Sequence, residues 1–321
     1  MALTIHLLLV LAASGLDAFF GDPHYRLHPV RLLGDWTLLW ERLLFRVGLN
    51  GRIGGLLLWL IVVVGALGLW WAIHRGLSHL HPWLGFAWDA LIAYSLLCTH
   101  DLIAQGRRVL VALDDLPRAR QELQMLVSRD TGNLSPAGIV RATIESLSEN
   151  LTDGVLTPLW ALCLFGLPGL ILVKTVSNLD SMVGYKTERY ARFGWAGARS
   201  DDLVHWLPAR LSVPIIALAA ALLRLHPRLV LPTALKYRSM LPSPNSGWSE
   251  AACAGALRVR LVGPIWHDGQ LVNEAYMGEP DWPAELGGGD LSRALKLILA
   301  ASLIALAVGL ALAPLRLLMP W

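Results

Sequence analysis

The sequence predicts an all-α, polytopic integral membrane protein: a single embedded domain over residues 1–321, with about four to six membrane-embedded helices and cytoplasmic helical loops. Three observations predict it. Apolar residues make up 55% of the chain and charged residues only 16%, whereas soluble domains average about 25% charge. The apolar residues gather in runs long enough to span a bilayer, and mean hydropathy is +0.51. Trp is abundant, fourteen residues against six Phe and six Tyr, as expected where indole rings sit at a lipid–water interface. This composition excludes disorder, a coiled coil and an ordinary soluble enzyme. A net charge of +3 is too mild for a nucleic-acid binder, which carries a clustered basic patch. The expected partner is a lipid bilayer, with no nucleic acid.

The first expected span is 3–20. It lacks the basic n-region of a secretory signal, which favours a retained helix. Residues 56–73 are the clearest span, uncharged throughout and ending near Trp70 and Trp71. Residues 82–99 form a third, with Asp89 near the middle. A carboxylate there costs roughly 2.5–3.5 kcal/mol, so Asp89 either is a functional candidate or lies near an aqueous edge. Residues 155–173 form a fourth, interrupted by Pro158 and Pro168 and expected to be broken or re-entrant. Residues 211–223 are apolar but short for a crossing, and 297–315 form the last span. The polar loops are then 21–53, 105–154, 174–210 and 224–296.

Loop charge sets the orientation. Segment 21–53 carries Arg26, Arg31, Arg42, Arg46 and Arg52, and segment 105–154 carries Arg107, Arg108, Arg118, Arg120, Arg129 and Arg141. Turn 74–81 carries only Arg75. This places 21–53 and 105–154 in the cytoplasm, with the N-terminus and 74–81 outside. Segment 174–210, with Lys174, Lys186, Arg189, Arg192, Arg199 and Arg210, belongs inside as well. A simple crossing at 155–173 would put it outside. Broken elements lining a cavity resolve the conflict. Cys98, Cys163 and Cys253 form no C-x-x-C pair and read as inert thiols.

Polar residues gather in four blocks. The first runs from Asp17 through Gly21-Asp22-Pro23, His28 and Arg31. Interfacial anchoring explains its basic residues but not its carboxylates. In the second, Ser135-Pro136 starts a helix that presents Glu145, Glu149 and Asp153 at i, i+4 and i+8, roughly on one face. Such a face either holds a cation such as Mg²⁺, or is solvated or paired with Arg141. Arg120 and Arg129-Asp130 precede that helix and could contact phosphate or pair with the helix. The third block, read as a helix, puts Lys174, Asn178, Ser181 and Tyr185 on one side. The alternative is a helix lying on the membrane surface, but the apolar stripe this needs is weak. The block closes with Asp201-Asp202 and Pro208-Ala209-Arg210. The fourth is Pro244-Asn245-Ser246-Gly247-Trp248-Ser249-Glu250, loop chemistry able to cradle an anion. No P-loop, dinucleotide fingerprint, H-E-x-x-H or G-x-S-x-G is present. His74, His79 and His81 sit among Trp70, Trp71 and Trp83 and read as interfacial packing.

In this order the blocks resemble the CobD/CbiB family of adenosylcobinamide-phosphate synthases. The resemblance is carried by Gly21-Asp22-Pro23, His28-Pro29-Val30-Arg31, Arg129-Asp130-Thr131, Glu145-Ser146, Glu149-Asn150, Asp153-Gly154, the run Asn178 to Tyr185, Asp201-Asp202, Pro208-Ala209-Arg210 and Pro244-Asn245-Ser246-Gly247-Trp248. It covers about residues 15–280. His205 departs from a common Asn, and Ile265-Trp266-His267 from an Asn-Tyr-rich stretch. The resemblance implies a multi-pass enzyme of the cytoplasmic (inner) membrane, with its active site facing the cytoplasm. It would join adenosylcobyric acid to (R)-1-amino-2-propanol or its O-phosphate, using ATP and Mg²⁺ through an acyl phosphate, with other late cobalamin-pathway enzymes as candidate partners. Glu145, Glu149, Asp153 and Asp180 would bind Mg²⁺. Arg129, Lys174, Asn178, Lys186, Arg189, Arg210, Asn245 and Ser246 would steady phosphates. Asp130 or Asp202 would be the general base, with Asp22, His28, Arg31 and Tyr185 as further candidates. The rival readings are an AmpE-like membrane sensor, which needs no dense carboxylate–cation face, and a corrinoid transporter, which often carries repeated halves.

Overall fold

The computed structural model describes the chain except Met1, His24, Ser128, Pro264, Asp268, Gly269, Glu274 and residues 319–321, and describes only the backbone of residues 2, 265–267, 270–273, 317 and 318. The described residues are overwhelmingly helical. Among the described residues, five helices are long and apolar enough to cross a membrane: Leu3–Phe20, Arg52–Leu80, Pro136–Val183, Trp195–Leu222 and Gly288–Arg316. The protein is therefore a polytopic helical membrane protein. By contact, the described chain divides into two compact units.

The first unit takes the described residues of Met1–Cys98, Thr157–Val204 and Leu306–Trp321. It holds α1 (Ala2–Phe20), α2 (Pro29–Arg46), α3 (Arg52–Leu80), α4 (Pro82–Tyr94), α8 (Thr157–Val183) and the start of α9 (Trp195–Leu222). Pro29 and Pro82 each start a helix, where a missing N–H costs nothing. The α2 helix is amphipathic and buries Leu33, Thr37, Glu41 and Leu44. Leu33 and Leu44 join Leu58, Val62, Val63, Val176, Leu179, Val183 and Phe193 in one core. Asp89, on α4, accepts from Trp70 Nε1 and meets His74 Nδ1, each at 2.9 Å, so α3 supplies its polar partners. The third expected span is thus a helix of only thirteen residues, shorter than a crossing.

The second unit takes Thr99–Leu156 and His205–Ala305. Its helices are α5 (Thr99–Ala112), α6 (Leu116–Gln124), α7 (Pro136–Asn150), the later part of α9, α10 (Pro227–Tyr237), α11 (Ser246–Leu257) and most of α12 (Gly288–Leu312). Strands β1 (Leu261–Val262) and β4 (Tyr276–Met277) pair antiparallel, as do β2 (Ile265–His267) and β3 (Gln270–Asn273). Ser135 Oγ accepts the Gly138 N–H at 3.1 Å and caps α7, a contact that contributes about 1 kcal/mol. The small residues of α11 are buried against α10. Cys253 lies among them, and burial pushes its thiol up to about 12. Cys163 is also buried and Cys98 half-buried, all three free thiols.

Two expected segments change shape. Segment 155–173 belongs to a helical run of 48 residues, Pro136–Val183. Its break falls at Gly166, where φ is +72°, two residues before Pro168. Segment 211–223 is no isolated fragment. It is the C-terminal half of α9, which runs 28 residues through Pro208 and Pro214.

Candidate active site

In the second unit, α7, α11, β1 and two loops enclose a cavity of about 450 Å³. Arg129, Glu145, Ser146, Glu149, Asn150, Ser243, Ser246 and Glu250 supply its polar lining. Glu145 and Glu149 stand one helical turn apart on α7, as their spacing predicts. Glu145 is 8% exposed, and both its oxygens are committed. Oε2 receives Arg129 Nη2 at 2.5 Å, and Oε1 receives the Val262 backbone N–H at 2.8 Å.

The loop carrying Arg129 is tied down by its neighbours. Gln124 Nε2 donates to the carbonyls of Val127 and Arg129 at 3.1 and 3.2 Å. Thr131 Oγ1 donates to the Arg120 carbonyl at 3.0 Å, and the Arg120 guanidinium grips the Leu134 carbonyl at 2.8 Å. Arg120 is therefore a loop staple. Arg141, the alternative partner of the acidic face, donates to the Ala284 carbonyl at 2.8 Å and stacks on Tyr276.

Glu250, which closes the fourth polar block but is no expected metal ligand or base, is the third acid of the cavity. It is 5% exposed and, among the described residues, makes no hydrogen bond or ion pair. Burial first, then the negative fields of Glu145 and Glu149, hold its carboxyl well above the usual carboxylate range, against the pull of Arg129. The available signal was compositional: a lone acid opening a run of Ala, Cys and Gly.

Asp153 departs from the expected face. The helix widens into a π turn at Leu151–Leu156, which adds a residue to the turn. Asp153 then stands 3.3 Å from His205 Nδ1 and is not part of the cavity lining. Asp130 is exposed, and its Oδ1 accepts the Gly132 N–H at 2.8 Å, a turn-forming contact. Asn245 and Arg210 meet, with Arg210 Nη1 donating to Asn245 Oδ1 at 3.2 Å. Ser243 Oγ accepts the N–H groups of Asn245 and Ser246.

The other expected site residues lie in the first unit. Lys174, Asn178 and Asp180 are on α8. That helix ends at Val183, so Tyr185 does not continue the polar side of Lys174 and Asn178. The chain turns at Gly184, where a Cβ would lie 1.9 Å from Asp180 Oδ1. Tyr185 and Lys186 are exposed beyond the turn. Arg189 is held by buried Glu41 at 2.6 Å and lies over Phe45 at 4.6 Å. Asp202 is near Arg199, at 3.7 Å, and Asp201 accepts from Ser177 at 2.8 Å. Asp22 pairs with His28 at 2.9 Å, and Arg31 is exposed.

The cavity's donor set fits Mg²⁺ of the kind shared with a substrate. That ion takes one or two carboxylates and completes its shell with water and phosphate oxygens. Glu149 and Glu250 are carboxylates that make no hydrogen bond or ion pair among the described residues, with Arg129 as the nearby cation. No group of three or more His, Cys, Asp or Glu there is arranged as an all-protein metal cage.

Residues 10–298 match the model of a family described as CobD/Cbib protein. The chain is 42% identical over 278 residues to the cobalamin biosynthesis protein CobD of Geobacter metallireducens, covering 86% of this chain and 87% of that one. It is 38% identical over 298 residues to CobD of Klebsiella pneumoniae, covering 91% and 93%. Identity to the cobalamin biosynthesis protein CbiB of Salmonella typhimurium is 37% over 298 residues, again covering 91% and 93%. No solved structure matches the chain.

Proposed function

The chain belongs to the CobD/Cbib family, and from that membership and its carboxylate cavity we propose that it is an amide-forming ligase of cobalamin biosynthesis. It joins adenosylcobyric acid to (R)-1-amino-2-propanol or its O-phosphate, driven by ATP and Mg²⁺. The names of its relatives, cobalamin biosynthesis proteins, support the pathway. The observation that carries the chemistry is one cavity holding Glu145, Glu149 and Glu250 beside Arg129.

A substrate carboxylate oxygen attacks the γ-phosphorus of ATP, and ADP leaves. The amine nitrogen then attacks the acyl carbon, the C–O bond to phosphate breaks, and inorganic phosphate and one proton are released. Bound Mg²⁺ supplies charge neutralisation on the phosphates. Glu149, at the cavity edge, is placed to hold it, while Glu145 keeps Arg129 pointed into the cavity. Phosphoryl transfer asks for this kind of positioning more than for covalent help. The amine must lose a proton, and Glu250 is the base. A carboxyl shifted upward by burial is a stronger base than Asp130, which is exposed and tied in a turn. A cavity of about 450 Å³ suits a side arm, a phosphate and an amino alcohol, and leaves the corrin ring outside.

The five apolar helices sit in the cytoplasmic membrane with the cavity facing the cytoplasm, where ATP is found; this follows the loop charges. The deciding experiment incubates detergent-purified protein with adenosylcobyric acid, ATP, Mg²⁺ and each amino alcohol. A product of the amide's mass, dependent on ATP, is expected. Its absence with every amino alcohol overturns the reading.

A further inference from the structure

Two arginines share one indole. The guanidinium carbons of Arg210 and Arg238 lie 5.1 and 4.8 Å from the ring centroid of Trp248. Arg210 also lies over Trp206 at 4.2 Å, and its Nη1 donates to the Trp206 carbonyl at 2.6 Å and to Asn245 Oδ1 at 3.2 Å. The Arg238 guanidinium makes no hydrogen bond among the described residues, and Arg238 is exposed.

Neither arginine has a carboxylate partner among the described residues. Two like charges on one ring repel, and the cation–π attraction each has for the indole opposes that repulsion. Stacking also fixes the guanidinium planes while leaving N–H groups to donate. Planar forks of this kind match the oxygens of a phosphate. The backbone is built to allow the approach: a Cβ on Gly247 would lie 2.1 Å from the Arg238 carbonyl oxygen. The loop that follows Arg238 supplies Leu241, Pro242 and Ser243 to the wall of the carboxylate cavity.

We propose that Arg210 and Arg238, splinted by Trp248, form a phosphoryl-binding site next to that cavity. The ligand is a phosphate group, carried by the amino alcohol, by the nucleotide or by a phospholipid head group. The choice among the first two rests on the ligase reading; the site itself does not.

The test is equilibrium binding to detergent-purified protein, with four probes: inorganic phosphate, aminopropanol O-phosphate, ATP, and short-chain phosphatidylglycerol in mixed micelles. Arg238→Ala is compared with wild type and with Arg238→Lys. Arg238 is exposed, so the variant should fold, and its melting temperature checks this. At least one probe should bind wild type saturably and bind Arg238→Ala about tenfold or more weakly, with Arg238→Lys in between. The probe with the largest loss names the source of the phosphate. Equal binding of every probe by all three proteins, or no binding to wild type, overturns the site. The ligase reading fails separately: phosphate binding through Arg238 without ATP-dependent amide formation removes that reading and leaves this site standing.

Discussion

Arg129 and Glu145 form an ion pair at 2.5 Å in which the carboxylate is the more buried partner, with a side chain 11% exposed against 29% for the guanidinium. The carboxylate is also anchored to β1 through the Val262 N–H. The pair therefore couples the 125–134 loop to the helix that carries the acids. Breaking a pair of this kind leaves a buried charge, which costs about 3–5 kcal/mol. Arg129→Ala should destabilise the protein by that order in a detergent unfolding series. The double variant Arg129→Ala/Glu145→Gln should recover part of the loss. A double variant no more stable than Arg129→Ala alone would show that the buried charge is not the cause.

Glu149 lines the cavity and makes no hydrogen bond or ion pair among the described residues. Glu149→Gln should nearly abolish ATP-dependent ligation while leaving the melting temperature close to wild type. Near-normal turnover at saturating Mg²⁺ would remove Glu149 from the metal set.

Glu250 makes stability depend on pH. Its folded carboxyl titrates above its unfolded value, so the native state binds the extra proton. Stability is then highest below the ordinary carboxylate range and falls as pH rises through the window up to the shifted value. Glu250→Gln should be more stable than wild type at pH 8, with the difference shrinking towards pH 4. Ligation should fall on the order of 10²–10⁴-fold, the range for losing a general base. Parallel melting curves across pH for the two proteins would contradict this.

Gly247 stands where the Arg238 carbonyl leaves no space. Gly247→Ala forces that loop outward and should cost about 1–3 kcal/mol, as overpacking does. Thermal unfolding of the variant checks it; an unchanged midpoint would mean the loop yields freely.

Lys186 is exposed in the turn after α8. The orientation proposed from loop charge expects Lys186→Cys to react with a membrane-impermeant maleimide only after the cytoplasmic face is opened. Labelling of intact spheroplasts would reverse the topology.

The sequence made α7 and its first two acids readable, because Ser135-Pro136 marks the helix start and a four-residue spacing survives in any α-helix. Asp153 was not readable in the same way, since nothing in Leu151–Leu156 announces a π turn. Glu250 stayed hidden because its neighbours across the cavity come from α7, about a hundred residues earlier in a chain read one window at a time. Arg189 looked like a loose cation because its partner, Glu41, lies 148 positions away. The length of α9 was obscured by Pro208, Pro214 and the polar residues of its first half, which interrupt the hydropathy of a helix that continues regardless.

The wide turn after Asn150 works as a phase shifter. One surplus residue there rotates the side chains that follow within Leu151–Leu156 by roughly 100° against the α7 pattern. Asp153 is thereby delivered to His205 and withheld from the acids upstream. Deleting a single residue, Thr152 for example, would restore ordinary winding and swing the next carboxylate round towards Glu145 and Glu149. His205 would be left without its acid.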